Sequence, residues 1–233
     1  MIERVGFFHL RLPAERLLLL GGAVGPPLFV IVFLIEGATR PGYSQVRNYV
    51  SDLSLSGFGW MQVLNFIVCG LLCLAFTVGF RLAMGSGCLI TVATILFGLF
   101  SVGLIVAGLF STDPHLGYPP GVPAGRTTTH GAIHGLAGLV VFASIAAVAI
   151  LLGFYFAREA SWRRWSAPSI LIGVLILMLF VIFNVTATMD MTGDWPNAPT
   201  GLVQRVAIVL GWGWLAAVAA KLALSRPSVV FNR

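Results

Sequence analysis

Six long apolar runs alternate with polar connections along this chain of 233 residues. Each run has roughly 20 residues or slightly more, the length that an α-helix needs to cross a hydrocarbon core of about 30 Å. The pattern predicts an all-α fold, a polytopic membrane protein built as a six-transmembrane-helix bundle. The predicted spans cover 17–35, 60–80, 88–110, 131–156, 167–188 and 202–222.

The composition points to lipid as the main solvent of the folded chain. Charged residues make up 9% and hydrophobic residues 58%, whereas a soluble domain has about a quarter charged residues. The net charge of +6 does not indicate a nucleic-acid partner, because the arginines lie at the ends of apolar runs and not in a basic patch with aromatics. We expect a membrane domain at 17–222, between an N-terminal segment at 1–16 and a C-terminal tail at 223–233.

The basic residues predict the orientation of the bundle. Most of them fall on the side of the two termini, so the positive-inside rule places both termini in the cytoplasm of a cell bounded by a plasma (inner) membrane. The outer connections are long and carry most of the acidic residues. The basic residues on the terminal side are Arg4, Arg11, Arg16, Arg81, Arg158, Arg163, Arg164, Lys221, Arg226 and Arg233, against Arg40, Arg47, Arg126 and Arg205 outside.

The first outer loop, residues 37–59, has a helical pattern of its own. Apolar side chains recur there at helical spacing, with a polar stripe on another face, which predicts a short amphipathic helix in the outer interface. Such a helix would cap the bundle. The apolar positions are Tyr43, Val46, Val50 and Leu53, and the polar ones are Ser44, Arg47, Ser51 and Ser54.

The candidate chemistry gathers at the second outer loop, between the third and fourth spans. His130 and His134 share one helix face, and Asp113 and His115 lie at a similar membrane depth. This set leaves two arrangements open, one of which is a site for zinc or another divalent metal that would activate a water for hydrolysis. The alternative is a buried hydrogen-bond network in which the histidines satisfy Asp113 and loop carbonyls.

Other polar residues near the outer side are further candidates. Ser51, with Asp52 beside it, is a possible nucleophile, and Asp113 is a third catalytic candidate. In the simpler interpretation, Ser51 caps the interfacial helix or belongs to its polar stripe, and Asp52 pairs with Arg47, Arg126 or Arg205. The candidate binding residues are Asp52, Asn65, Asp113, Arg126, His130, His134 and Arg205.

Two of these binding candidates leave alternatives open. Outer arginines such as Arg126 and Arg205 suit either a carboxylate partner or an anionic lipid headgroup. Asn65 lies inside an apolar span, where a polar side chain either serves a function or forms a hydrogen bond between helices.

Three stretches of the chain carry a family resemblance. RNYVSDLSLSGFGWMQVLNFIVCGLL, GLFSTDP and THGAIHGLAG, at 47–72, 108–114 and 129–138, resemble the bacterial and archaeal six-helix membrane family catalogued as domain of unknown function 998. The resemblance implies fold and location but no reaction. More remotely, the order of these motifs is similar to the Frag1/DRAM/Sfk1 group, which implies a link to membrane lipid organisation.

Two functions remain open from the sequence. The first is binding or organisation of membrane lipid or of a small amphiphile in a polar pocket on the extracytoplasmic side. The second is a metal-dependent membrane hydrolase with the His/Asp site at the outer leaflet. A haem protein is disfavoured because three histidines crowd one end of the bundle, and a transporter because no charge lies at a helix centre.

Overall fold

The computed structural model describes residues 14–224, which fold into six long α-helices and one short 3₁₀ helix. All six long helices are long and apolar enough to cross a membrane, so the predicted spans are confirmed. Most of the predicted terminal segments lie outside the described residues, including Arg4, Arg11, Arg226 and Arg233. The helices are α1 Ala14–Thr39, α2 Trp60–Met84, α3 Cys88–Leu109, α4 Thr129–Ala157, α5 Arg163–Thr192 and α6 Thr200–Leu224.

The helices form a closed ring in chain order. Each packs against its neighbours in sequence, and α6 returns to pack against α1. Trp212 of α6 fills the centre, where its ring lies 4.8 Å from that of Phe100 and about 6 Å from those of Phe29 and Phe142. One large aromatic side chain therefore joins helices α1, α3, α4 and α6 in the apolar core.

Helix α5 is the most exposed member of the bundle. Only 22% of the residues in its most apolar stretch are buried, against 56% for α6. Its outward side chains include Val181 and Val185, which are 61% and 50% exposed. An apolar face of this length is unfavourable in water but suits contact with lipid acyl chains.

The predicted short helix in the first loop is present, at Val50–Leu55, but it is a 3₁₀ helix with four of its six residues buried. Residues 40–49 before it form turns, so the helical pattern starts later than the sequence suggests. The N–H of Val50 donates to Oε1 of Gln204 in α6, at 2.8 Å. Because its backbone binds α6, the short helix is inserted into the end of the bundle.

Candidate functional site

Three loops meet at one end of the bundle, at residues 40–59, 110–128 and 193–199. We call it the loop-rich end. The connections at the opposite end, 85–87 and 158–162, are short. Nearly all of the predicted site residues lie at the loop-rich end, and the hydrogen bonds below show which of them meet.

Asp113 and Thr128 close the second loop at the start of α4. The Asp113 carboxylate accepts from the N–H and the hydroxyl of Thr128, at 2.8 and 2.7 Å. The Thr128 oxygen in turn accepts from the N–H of Gly131, at 3.1 Å, as a helix N-cap does. These hydrogen bonds lower the pKa of Asp113 below its ordinary value. A Cβ at Gly131 would collide with the carboxylate, so only glycine allows this close approach.

His134 closes the same junction from the other side. Its Nδ1 lies 3.0 Å from the carbonyl oxygen of Ala107 and 2.8 Å from that of Phe110. These carbonyls belong to the last turn of α3, which has no further helical N–H groups to bind. The imidazole N–H therefore caps α3, while Asp113 and Thr128 cap α4.

The predicted metal site is not formed by the described residues. No group of three or more His, Cys, Asp or Glu side chains lies close enough there to hold an ion. His134 binds the end of α3, and His130 is exposed, with its ring edge-on to Phe110. Asp113 binds Thr128, and His115 turns toward Asp52. His130 and His134 share one face of α4, as their spacing predicts, but their side chains have different partners.

Asp52 and His115 form a buried pair between the first and second loops. Oδ1 of Asp52 and Nε2 of His115 are 3.4 Å apart, and Asp52 is fully buried. Oδ2 of Asp52 accepts from the N–H of Tyr49 at 2.8 Å, and Nδ1 of His115 lies 2.6 Å from the carbonyl oxygen of Asp113. Burial raises the pKa of Asp52 well above its ordinary value and lowers the pKa of His115.

Among the described residues, Arg205 binds backbone carbonyls and not a carboxylate, which was one of its two predicted partners. Its guanidinium donates to the carbonyl oxygens of Asn48 and Gly201, each at 2.9 Å, and to the hydroxyl of Tyr43. It also lies over the rings of Phe33 and Tyr43. Arg205 thus holds the first loop against α6. The predicted pairing of Asp52 with an arginine is wrong, because the partner within ion-pair distance is His115.

A salt bridge that the sequence did not predict joins the first loop to α5. Nε and one terminal nitrogen of Arg47 donate to the two oxygens of Asp190, both at 2.8 Å. The Asp190 side chain is fully buried, and that of Arg47 is 30% exposed. Arg47 and Asp190 are 143 positions apart in the sequence, and nothing in the local pattern pairs positions so far apart. Arg126 is exposed and makes no ion pair with the described residues.

Ser51 and Asn65 lie in less polar surroundings. Ser51 is buried and lines a cavity of about 50 Å³ together with His134, Gln204 and Trp212. Its hydroxyl makes no hydrogen bond to a carboxylate or histidine among the described residues. Asn65 donates to the carbonyl of Phe29, at 3.1 Å, which is the hydrogen bond between helices that the sequence left as one alternative.

A larger cleft opens beside the Asp52–His115 pair. Its volume is about 770 Å³, and it runs from the second loop down between the ends of α4 and α5. Charged, polar and small residues line it, so both water and lipid headgroups match its chemistry. The lining comprises Arg47, Tyr49, Thr112, Asp113, Pro114, His115, Leu116, Gly117, Ala124, Gly125, Thr127, Gly131, Gly135, Asn184, Asp190 and Met191.

The comparisons with known proteins identify a family. One family model, described as protein of unknown function (DUF998), matches residues 23–221, most of the chain. The chain belongs to the DUF998 family. This DUF998 protein matches no curated protein and no solved structure. The similarity to the Frag1/DRAM/Sfk1 group stays a prediction, and the family description assigns no reaction, so function has to be argued from the loop-rich end.

Proposed function

We propose that this DUF998 membrane protein holds the polar head of a lipid or of a small amphiphile in the cleft at the loop-rich end. In this proposal the loop-rich end faces the outside of the plasma membrane and both termini face the cytoplasm. The observation that carries the proposal is the cleft itself, about 770 Å³ in volume, which has a mixed polar and apolar lining and descends between α4 and α5.

The position of the cleft suits a molecule with one polar and one apolar part. Asp113, Asn184 and Asp190 lie along its wall. Just below, the outward faces of α4 and α5 are apolar, with Leu136 62% exposed and Val181 61% exposed. A headgroup in the cleft would leave its acyl chain against these side chains, where the bilayer already supplies an apolar environment.

The charges of the lining favour a head group that carries an ammonium group. The positive charge of Arg47 is neutralised by the buried Asp190 carboxylate. Asp113 remains ionised, because its hydrogen bonds from Thr128 lower its pKa. The ionised groups of the lining therefore carry one excess negative charge, which disfavours a purely anionic head. Phosphatidylethanolamine has the favoured chemistry and phosphatidylglycerol does not.

The arrangement supports binding better than hydrolysis. The Nδ1 atoms of His115 and His134 are committed to backbone carbonyls. The predicted nucleophile Ser51 lines a separate small cavity away from the cleft, so it is not within reach of a head group bound in the cleft.

Native mass spectrometry from nanodiscs tests the proposal. The protein would be released from discs that contain phosphatidylethanolamine and phosphatidylglycerol in equal amounts, and the retained lipids counted. Gly135→Leu places a side chain in the cleft, and Gly98→Leu is the matched control, because a Cβ at either glycine meets open space and only Gly135 lines the cleft.

We expect the wild type and Gly98→Leu to retain phosphatidylethanolamine preferentially, and Gly135→Leu to lose it. Equal retention by all three proteins, or no preference for either lipid, would contradict the proposed function.

A further inference from the structure

Two buried atoms at the junction of the first and second loops face each other without a partner. Oδ1 of Asp52 and Nε2 of His115 lie 3.4 Å apart, and neither atom has a hydrogen-bond partner among the described residues. The other acceptor or donor of each side chain is occupied. Oδ2 of Asp52 binds the N–H of Tyr49, and Nδ1 of His115 binds the carbonyl of Asp113.

These contacts determine how many protons the pair needs. A carbonyl oxygen only accepts, so Nδ1 of His115 carries a hydrogen, and Nε2 of the neutral ring is a lone pair. If Asp52 were ionised as well, two lone pairs would face each other out of contact with water, which leaves two buried polar atoms unsatisfied. A single added proton between the two atoms satisfies both of them.

The surroundings favour the oxygen as the site of that proton. Asp52 is fully buried, and the charged group near it is Arg205, whose guanidinium is already engaged by two carbonyls and Tyr43. The other titratable side chains near Asp52 are Tyr43 and Tyr49.

The surroundings of His115 disfavour a charged imidazole ring. The ring packs edge-on against Tyr49, with ring centroids 4.1 Å apart. Asp113 and His134 are its other titratable neighbours, and their charges act in opposite directions. A neutral acid beside a neutral imidazole avoids two buried charges, each of which carries a desolvation cost.

We infer that Asp52 is a neutral carboxylic acid whose O–H donates a hydrogen bond to Nε2 of His115. This hydrogen bond holds the second loop in place at the wall of the cleft. His115 lines the cleft and Asp52 lies behind it, so the proton joins the wall of the cleft to the buried short helix. The link to lipid binding rests on the proposed function, whereas the buried proton does not.

The sign of the pH dependence follows from the two side chains. Burial raises the pKa of Asp52 well above its ordinary value, so its proton is lost only as the pH rises through that raised value. The pKa of His115 is lowered from 6.5, so the ring stays neutral until the pH falls through a value below 6.5. The hydrogen bond between Asp52 and His115 should therefore be stable only within a range of pH and should weaken above and below that range.

Infrared spectroscopy of the lipid-free protein at pH 7 tests the proton directly. With ¹³C-labelled aspartate, we expect a band from a protonated carboxylic acid that disappears in Asp52→Asn and persists in the control Asp113→Asn. His115→Asn keeps a donor for the Asp113 carbonyl but deletes Nε2, so the band should move to higher frequency. Absence of a band that depends on Asp52, or a doubly protonated His115 by ¹⁵N NMR, would overturn the inference.

Hydrogen exchange of residues 111–128 tests the consequence. The quantity to compare is the protection factor, which is the exchange rate corrected for the intrinsic rate at the same pH. In the wild type, protection should be highest within the pH range in which the Asp52–His115 hydrogen bond is stable and should fall on both sides of it. In Asp52→Asn, whose amide donates permanently to Nε2, the fall at high pH should be absent.

Lipid affinity should follow the same profile, with a slope of at most about tenfold per pH unit because one proton is linked. A protection factor that does not change with pH over the whole range would overturn the role of the proton. A normal infrared result without lipid binding would remove only the proposed function.

Discussion

Gly131 shows how one missing side chain determines a junction between two helices. Its N–H donates to Thr128, and the Asp113 carboxylate fills the space that a Cβ would need. The same position gives α4 a residue of low helix propensity, so its advantage lies in the close approach. Gly135, one turn further along the same helix, has open space around it and differs in just this respect.

Gly131 and Gly135 give a prediction in which one glycine serves as the control for the other. Gly131→Ala should lower the free energy of unfolding by about 1–3 kcal/mol, because the carboxylate has to move away from Thr128. Gly135→Ala should be neutral or stabilising by up to about 1 kcal/mol, since alanine has less freedom to lose in a helix. Thermal unfolding in detergent, with tryptophan fluorescence as the probe, measures both, and equal effects at the two glycines would show that the contact does not matter.

At the scale of elements, the end of α3 is capped by a side chain of α4, and the start of α4 is capped by side chains of the loop that follows α3. His134 of α4 binds the last carbonyls of α3, and Asp113, just after α3, binds the first turn of α4 through Thr128. The segment that carried the strongest signal of chemistry in the sequence therefore has a structural task. Two histidines at helical spacing are as suitable for capping a neighbouring helix as for holding a metal.

This capping leads to a prediction that separates the two histidines. His134→Leu should lower the free energy of unfolding by about 1–2 kcal/mol, because two carbonyls lose their donor. It should also speed hydrogen exchange around residues 107–112. His130→Leu, at the exposed neighbour, should change stability by less than about 0.5 kcal/mol. Mass spectrometry of exchanged peptides provides the readout, and equal exchange in both variants would exclude the cap.

The sequence predicted elements well and contacts poorly, and the reason is physical. Length and hydropathy define each membrane span, since lipid imposes the same requirement along the whole helix. The partners of Arg47 and Asn48 lie at Asp190 and Leu116, 143 and 68 positions away. No local pattern encodes such pairs, because they depend on which loops the bundle brings together.

At the scale of the whole molecule, the first loop connects the other parts of the loop-rich end. It binds α5 through Arg47, the second loop through Asn48 and Asp52, and α6 through the N–H groups of Gly201 and Leu202. A Cβ at Gly201 would overlap the carbonyl of Asn48. These contacts explain why a loop of this length can keep a defined structure over the bundle.

The orientation of the protein determines which side of the membrane the cleft faces. Labelling of one native cysteine measures this orientation. Cys88 is exposed at the first residue of α3, at the opposite end from the cleft, while Cys69 and Cys73 are buried. If both termini are cytoplasmic, a membrane-impermeant maleimide should label Cys88 in inside-out vesicles and not in intact cells with a permeabilised outer layer. In Cys88→Ser, an added Thr127→Cys should show the reverse accessibility.

The two labels are complementary because they lie at opposite ends of the same bundle, so a leak in the vesicles would label both. Cys69 and Cys73 should stay unlabelled until the protein is unfolded, which measures the background. Labelling of Cys88 from outside would invert the topology and place the cleft in the cytoplasm. The amphiphile would then have to come from the inner leaflet, and the Asp52–His115 proton would respond to cytoplasmic pH instead of external pH.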